Sequence, residues 1–261
     1  MIHPPASDGA AVPQRLRTLD AVRGVAVMGI LLLNIIDFAM PGYAAIDPSF
    51  YGGSTGANWW EWAIAYAIGD GKFRGLFTMM FGASTMLIAD RALLSGQRPA
   101  VVHYARMATL FVFGMVHAYL IWAGDILVLY ALTGMIAFVG WRVRPRMLVT
   151  IGMLLLAFKL ADGLVAYQHL ESARVASIQP TPDPALAADW RAFRQQSDPQ
   201  RDGIARELAG YRGSYGDALK VRARTAIFFQ TIVNRIALID TLALMLIGMA
   251  VKLGLFGLVK A

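Results

Sequence analysis

AVRGVAVMGILLLNIIDFAM, residues 21–40, decides the fold. It is a run of twenty residues with only Arg23, Asn34 and Asp37 breaking its apolar character, and Pro41-Gly42 closes it. A helix rises 1.5 Å per residue, so about 20 residues cross the roughly 30 Å hydrocarbon core of a bilayer. Working outward, runs at 73–89, 104–123, 126–141, 147–167 and 226–251 read the same way. The expected fold is all-α: a polytopic membrane helix bundle with about six transmembrane helices. Trp59, Trp60 and Trp62 mark 58–68 as a short interfacial helix, or the first arm of a broken one, because indoles favour the headgroup layer.

The bulk numbers agree. Hydrophobic residues make up 57% of the 261 and charged residues 16%, against roughly 25% charge in a soluble domain. The net charge is +7, but the basic residues sit in short loops between apolar runs. Membrane topology accounts for that placement without nucleic acid as a partner. The absence of cysteine excludes disulfides, thiol chemistry and thiolate metal sites, and no metal is expected.

Residues 1–14, rich in Pro and Ala, read as a disordered tail. Arg15 and Arg17 ahead of the first run predict an uncleaved signal-anchor. Residues 15–168 then hold helices one to five and 224–261 the sixth. Residues 169–223, with the breaker string QPTPDP (179–184) and charges of both signs, predict an extramembrane helical insert with short helices near 185–196 and 201–211. Arg15, Arg17, Arg91, Arg98, Arg106, Arg142, Arg144, Arg146, Lys252 and Lys260 fall on one side, whereas loops 41–57 and 124–125 carry no Lys or Arg. Positive residues stay inside, so both termini are expected in the cytoplasm, the insert outside, and a lipid bilayer around the bundle.

Polar groups inside apolar runs need a partner or a water-filled cavity, which makes each a functional candidate. Asn34, Asp37, Asp70, Lys72, Arg74, His117 and Asp125 all fall toward the outer ends of their runs. His117 is expected as general base, since imidazole exchanges protons near neutral pH, with Asp125 or Asp37 orienting its ring. His3, His103 and His169 lie outside the runs as read here. Lys72 and Arg74 suit an anionic group; snorkelling to headgroups would place them equally well. Asp70 reads as the N-cap of the second run. Asp20 and Arg23, spaced i, i+3, pair on one face; this inner end is a structural ion pair or part of a donor-binding surface.

RLRTLDAVRGVAVMGILLLNI (15–35), GKFRGLFTMMFGAS (71–84), FGMVHAYLIWAGDILVLYALTG (113–134) and YRGSYGDALKVR (211–222) resemble the YeiB-like family of bacterial inner-membrane proteins, which carry a domain of unknown function. The resemblance covers most of residues 15–257. It implies further helices after LIGMAVKLGLFG (246–257), so the chain corresponds to a short form or a fragment of the family's length. The first segment also resembles the entry helix of the wider transmembrane acyltransferase superfamily, through Leu19-Asp20 and Arg23-Gly24-Val25-Ala26. In the acyltransferase-three branch the position of Asn34 holds a proposed catalytic histidine. In the branch of the heparan glucosaminide acetyltransferase the histidine lies in the following loop, and loop 41–57 here holds none. His117 is therefore a candidate by its own location.

Three functions follow as expectations. The first is acyl transfer from a cytoplasmic acyl donor, with acyl-CoA as donor substrate and no tightly bound cofactor, to a sugar or lipid acceptor. The second is a non-enzymatic membrane scaffold or assembly protein that uses the insert. The third is a small-molecule transporter. The sequence does not specify an oligomeric state.

Overall fold

The computed structural model describes residues 17–43, 47–69, 71–179, 181, 183–197 and 201–255, with the side chains at 17–20, 33, 37, 68, 69, 196, 197, 201, 202 and 252–255 outside that description. Every regular element among the described residues is helical. In chain order they are α1 (Arg17–Ala39), α2 (Gly56–Gly69), α3 (Lys72–Leu94), α4 (Pro99–Val116), α5 (Leu127–Ala137), α6 (Pro145–Ser177), α7 (Pro184–Ser197), α8 (Arg201–Arg212), α9 (Tyr215–Phe228) and α10 (Asn234–Leu255). A π-helical turn, His117–Ile121, extends α4, and a second, Phe229–Val233, joins α9 to α10.

Local chemistry sets these boundaries. Pro99, Pro145 and Pro184 open their helices, where the missing N–H is not needed. Gly96, at φ 70°, ends α3: its N–H donates to the Leu93 carbonyl and that of Gln97 to the Ala92 carbonyl. This is the paired bonding of a left-handed glycine stop. Ser214 and Asp217 form a reciprocal capping box that starts α9.

Four helices are long and apolar enough to cross a membrane: Gly56–Leu94, which takes in α2 and α3, Pro99–Ile121, Pro145–Ser177 and Tyr215–Val251. Six spans were expected, and four helices are both long and apolar enough. Ala21–Ile36 and Leu127–Gly140 are apolar but shorter. Arg23 bounds the apolar part of α1, while Asp125 and Arg142 bracket α5. The 11 residues of α5 reach about half of a hydrocarbon core at 1.5 Å each. The expected start of the insert at 169 falls inside an unbroken helix, since α6 runs on to Ser177. The expected tail lies outside the described residues. The helices expected near 185–196 and 201–211 are α7 and α8.

The core is the seam where α10 packs along α3 and α6. In lipid there is little hydrophobic drive between helices, so small residues that allow close van der Waals contact hold such seams. A β-carbon at Gly82 would collide with the Met245 carbonyl, and one at Gly248 with the Met79 carbonyl. The two glycines are thus reciprocal, each receiving the other helix's backbone. Met86, Tyr130, Leu148, Met245 and Met249 fill the space around them. By contrast, α4 and α6 leave most of their apolar side chains on the surface, among them Val112, Phe113, Leu154, Phe158, Leu160 and Val165, the inside-out arrangement that a bilayer permits.

His103 was expected outside the apolar runs. It lies within α4, fully buried, stacked on Phe138 at 4.2 Å, and its Nε2–H donates to the Gly134 carbonyl at 3.1 Å. The helix starts at Pro99, several residues before hydropathy reports an apolar run.

Candidate functional site

The described chain carries two polar centres, one on the π-turn after α4 and one where α3, α5 and α10 meet. The first is built on the π-turn after α4. His117 Nδ1 donates to Asp125 Oδ1 at 2.9 Å. The other carboxylate oxygen, Oδ2, accepts from the Val128 N–H at 2.9 Å, in the first turn of α5. The Asp125 side chain is 2% exposed and that of His117 31%. A helix N-terminus stabilises a carboxylate, so Asp125 is locked as an acceptor between the imidazole and α5. Donation through Nδ1 leaves Nε2, on the opposite edge of the ring, as the basic lone pair of the neutral tautomer. This is the base-and-orienter arrangement of a general base.

Backbone proximity makes the dyad possible. Gly114 faces the start of α5 with no side chain between them. The Trp122 ring lies against Gly124, with its centroid 6.2 Å from that of His117 and 4.6 Å from Phe38. The second π-turn faces the first. Tyr119 donates its hydroxyl to Gln230 Oε1 at 3.2 Å, and Gln230 Nε2 reaches Met115 Sδ at 3.5 Å. From α9, the Tyr215 hydroxyl and Arg222 Nη1 both donate to the Leu120 carbonyl, at 3.2 and 2.9 Å. These bonds satisfy a carbonyl orphaned at the helix end. From α8, Glu207 Oε1 accepts the Gly42 N–H at 3.2 Å. Bonds from α8 and α9 thus hold the ends of both α1 and α4.

The second centre joins α3, α5 and α10. Arg74 Nη2 donates to Asp240 Oδ2 at 2.9 Å, with side-chain exposures of 36% and 19%. Thr78 donates to the Arg74 carbonyl at 2.7 Å and shares a 2.5 Å hydrogen bond with the Tyr130 hydroxyl. Thr78, Tyr130 and Thr241 are fully buried. Asp240 Oδ1 is buried without a hydrogen-bond partner, a rare condition for a carboxylate oxygen.

The remaining sequence candidates distribute as follows. Lys72 is exposed and donates to the Ala67 carbonyl, at the end of α2. Asn34 is half-buried on α1. Arg23 donates to Ser84 Oγ at 2.6 Å, linking α1 to α3. Asp20 and Asp37 have side chains outside the described set, and Asp70 lies outside the described residues; the N-cap position of α3 is Gly71, at φ 70°. The structure therefore joins His117 with Asp125 and gives Arg74 a different partner. Among the described residues no group of three or more His, Asp or Glu side chains could hold a metal ion. Sequence reading missed Asp240 and Tyr130. The rule that singled out Asp37 applies equally to Asp240, an ionisable group inside the 226–251 run. Tyr130 carries no such mark, since its hydroxyl matters only through what it touches.

Over 208 residues, 78% of this chain, it is 32% identical to the uncharacterized protein YeiB of Escherichia coli K12, and the match covers 52% of that protein. The chain is similar to YeiB. It is also 31% identical over 52% of its length to the uncharacterized protein YxaH of Bacillus subtilis 168, covering 35% of it. A further relative is an uncharacterized 39.9 kDa protein of Bacillus acidopullulyticus, at 27% identity over 58% of this chain and 41% of that one. The chain spans about half the length, or less, of these curated relatives. No protein-family model matches it, and no solved structure does.

Proposed function

We propose that this chain is a YeiB-like protein of a bacterial inner membrane, with both termini cytoplasmic and with the segments 21–36 and 127–140 completing six crossings, and that it transfers an acyl group from a cytoplasmic thioester such as acyl-CoA to a hydroxyl or amine of a sugar or lipid at the outer face. The observation that carries this reading is the His117–Asp125 pair: a partly exposed imidazole held by a buried carboxylate at 2.9 Å. His117 Nε2 takes the acceptor proton as the acceptor oxygen or nitrogen attacks the thioester carbonyl. The C–S bond then breaks, and the departing thiolate takes the proton from the imidazolium. Asp125 balances the transient charge. The charge of Arg74 is compensated by Asp240, so Arg74 serves as a hydrogen-bond donor to an anionic acceptor or oxyanion. The basic residues of the inner loops attract the donor's phosphates.

The test is transfer of labelled acyl groups by protein reconstituted in lipid, with candidate acceptors supplied. Turnover that disappears in His117→Ala supports the reading; equal turnover in both removes His117 from the mechanism.

Transport is the second reading, favoured by one observation. The Arg74–Asp240 centre continues inward as buried Thr78, Tyr130 and Thr133, and two of its oxygens, Asp240 Oδ1 and Thr133 Oγ1, lack partners. Buried polar groups across several helices are what a substrate or proton path requires. Solute flux in proteoliposomes that vanishes in Asp240→Asn would favour this reading over acyl transfer.

A further inference from the structure

His103 has no part in the dyad. The two imidazoles of α4 lie about 21 Å apart along its axis, at 1.5 Å per residue. His117 pairs with Asp125 just before α5 begins, whereas His103 reaches the Gly134 carbonyl near the end of α5. Buried polar groups lie between. Tyr130, Thr133 and Gly134 share one face of α5, at i, i+3 and i+4. The Tyr130 hydroxyl bonds Thr78 and lies 3.4 Å from the carbonyl of Arg74, whose guanidinium holds Asp240. Thr133 is fully buried, and its Oγ1, like Asp240 Oδ1, has no partner among the described residues. Thr78, Thr85 and Thr109 each donate to the carbonyl four residues back, the usual refuge of a helical hydroxyl. Thr133 does not, so its hydroxyl is uncommitted. With His103 Nε2 donating, Nδ1 carries the lone pair. Arg74 and Asp240 are partly exposed, but His103 is 1% exposed. It lies under a stack: Phe138 on His103, Trp141 on Phe138 at 5.7 Å, and the Arg142 guanidinium 4.6 Å over Trp141. Tyr104 and Arg106 are its charged or titratable neighbours on α4. Side chains packed this closely leave no room for a hydrated ion, but hydroxyls and an imidazole can relay a proton by exchanging hydrogen bonds.

We propose that this series is a proton path, in which Asp240 takes a proton beside Arg74 and His103 receives it at the far end of the α4–α5 pair. This rests on the transport reading and names the proton as its driving ion. Asp240 Oδ1 binds the proton, and the neutral carboxyl loosens its hold on Arg74. The Tyr130–Thr78 pair and then Thr133 each accept a proton on oxygen as they give up their own. His103 Nδ1 takes it, and the imidazolium releases it to solution when the Phe138–Trp141 stack parts. Only O–H and N–H bonds form and break, and one proton crosses for each passage.

The experiment reconstitutes the full chain in liposomes loaded with a pH-sensitive dye and imposes a potassium diffusion potential, negative inside, with valinomycin. We expect internal acidification faster than in empty liposomes. Asp240→Asn should return it to the empty rate, and so should His103→Gln, which keeps a donor for the Gly134 carbonyl but carries no proton. Thr133→Val keeps the side chain's shape, breaks no hydrogen bond and should slow the flux, so the test does not depend on a variant that fails to fold. His169→Gln, exposed at the far end of α6, should leave it unchanged. In infrared difference spectra, a downward pH step should raise a protonated-carboxyl band that Asp240→Asn removes. A rate equal to that of empty liposomes, or one unchanged in His103→Gln or Thr133→Val, would overturn the proposal. Solute flux that persists in His103→Gln would keep transport and remove the proton path; proton flux without solute flux would keep the path and remove solute transport.

Discussion

Gly114 abuts Val128: a β-carbon on the glycine would lie 2.8 Å from the Val128 amide nitrogen and 2.9 Å from its Cγ2. That contact brings the N–H that fixes Asp125 to within reach of the helix that carries His117. Gly114→Ala gains about 1 kcal/mol of helix propensity but overpacks a tight crossing, at about 1–3 kcal/mol. We expect a lower unfolding temperature in detergent, and loss of the hydrogen-bonded His117 Nδ1 proton signal by NMR. A retained proton signal would show that α5 can shift without releasing the dyad.

His117 and Asp125 should act as one unit. His117→Ala and Asp125→Ala are each expected to lower acyl transfer by about 100-fold or more, and the double variant should be no slower than the worse single one. Multiplying losses would mean that the carboxylate acts elsewhere. Asp125→Ala should also lose about 1 kcal/mol of stability, because it removes the acceptor of the Val128 N–H in the first turn of α5.

Arg74→Ala leaves Asp240 without its cation in a largely buried seam. Between the limits for exposed and buried pairs, the expected loss is about 1–3 kcal/mol. The double variant Arg74→Ala/Asp240→Ala should recover part of it, because no charge is then left unpaired. Denaturation of the four proteins in one detergent measures the coupling, and a purely additive pair would contradict a direct ion pair.

Gly82→Val and Gly248→Val each press a branched side chain against a backbone carbonyl that cannot give way. Each should destabilise the α3–α10 seam by about 3 kcal/mol, at the upper end of overpacking effects. The two together should cost less than their sum, since either alone already separates the helices. Thermal scans of the three variants would check this.

The cysteine-free sequence makes orientation easy to test. A membrane-impermeant maleimide applied to intact cells should label Ser54→Cys and leave Ser95→Cys unlabelled until the cells are permeabilised. The reverse pattern would invert the topology and move His117 to the cytoplasmic side.

The long apolar helices and the dyad's members were legible in the sequence because hydropathy and isolated ionisable groups are local properties. The partner of His117 was narrowed to Asp125 or Asp37, and the structure shows it hydrogen-bonded to Asp125. Arg74 was singled out for its charge, but its partner, Asp240, is 166 positions away in the chain, and no local pattern joins the two. His103 was misplaced because a window of hydropathy finds the apolar middle of α4 and not its proline start.

By itself, then, the sequence determined that the chain is helical, which stretches are apolar enough for a membrane, and which polar groups have no business there. Burying a charge in hydrocarbon is so unfavourable that most of the exceptions stand out in the sequence, Asp240 being one that was passed over. Only the tertiary structure decided how those exceptions pair, because pairing depends on where glycines let two backbones touch. Gly114 at α5 and Gly82 and Gly248 at the α3–α10 seam set those contacts, and a glycine in a sequence does not reveal which surface it will meet.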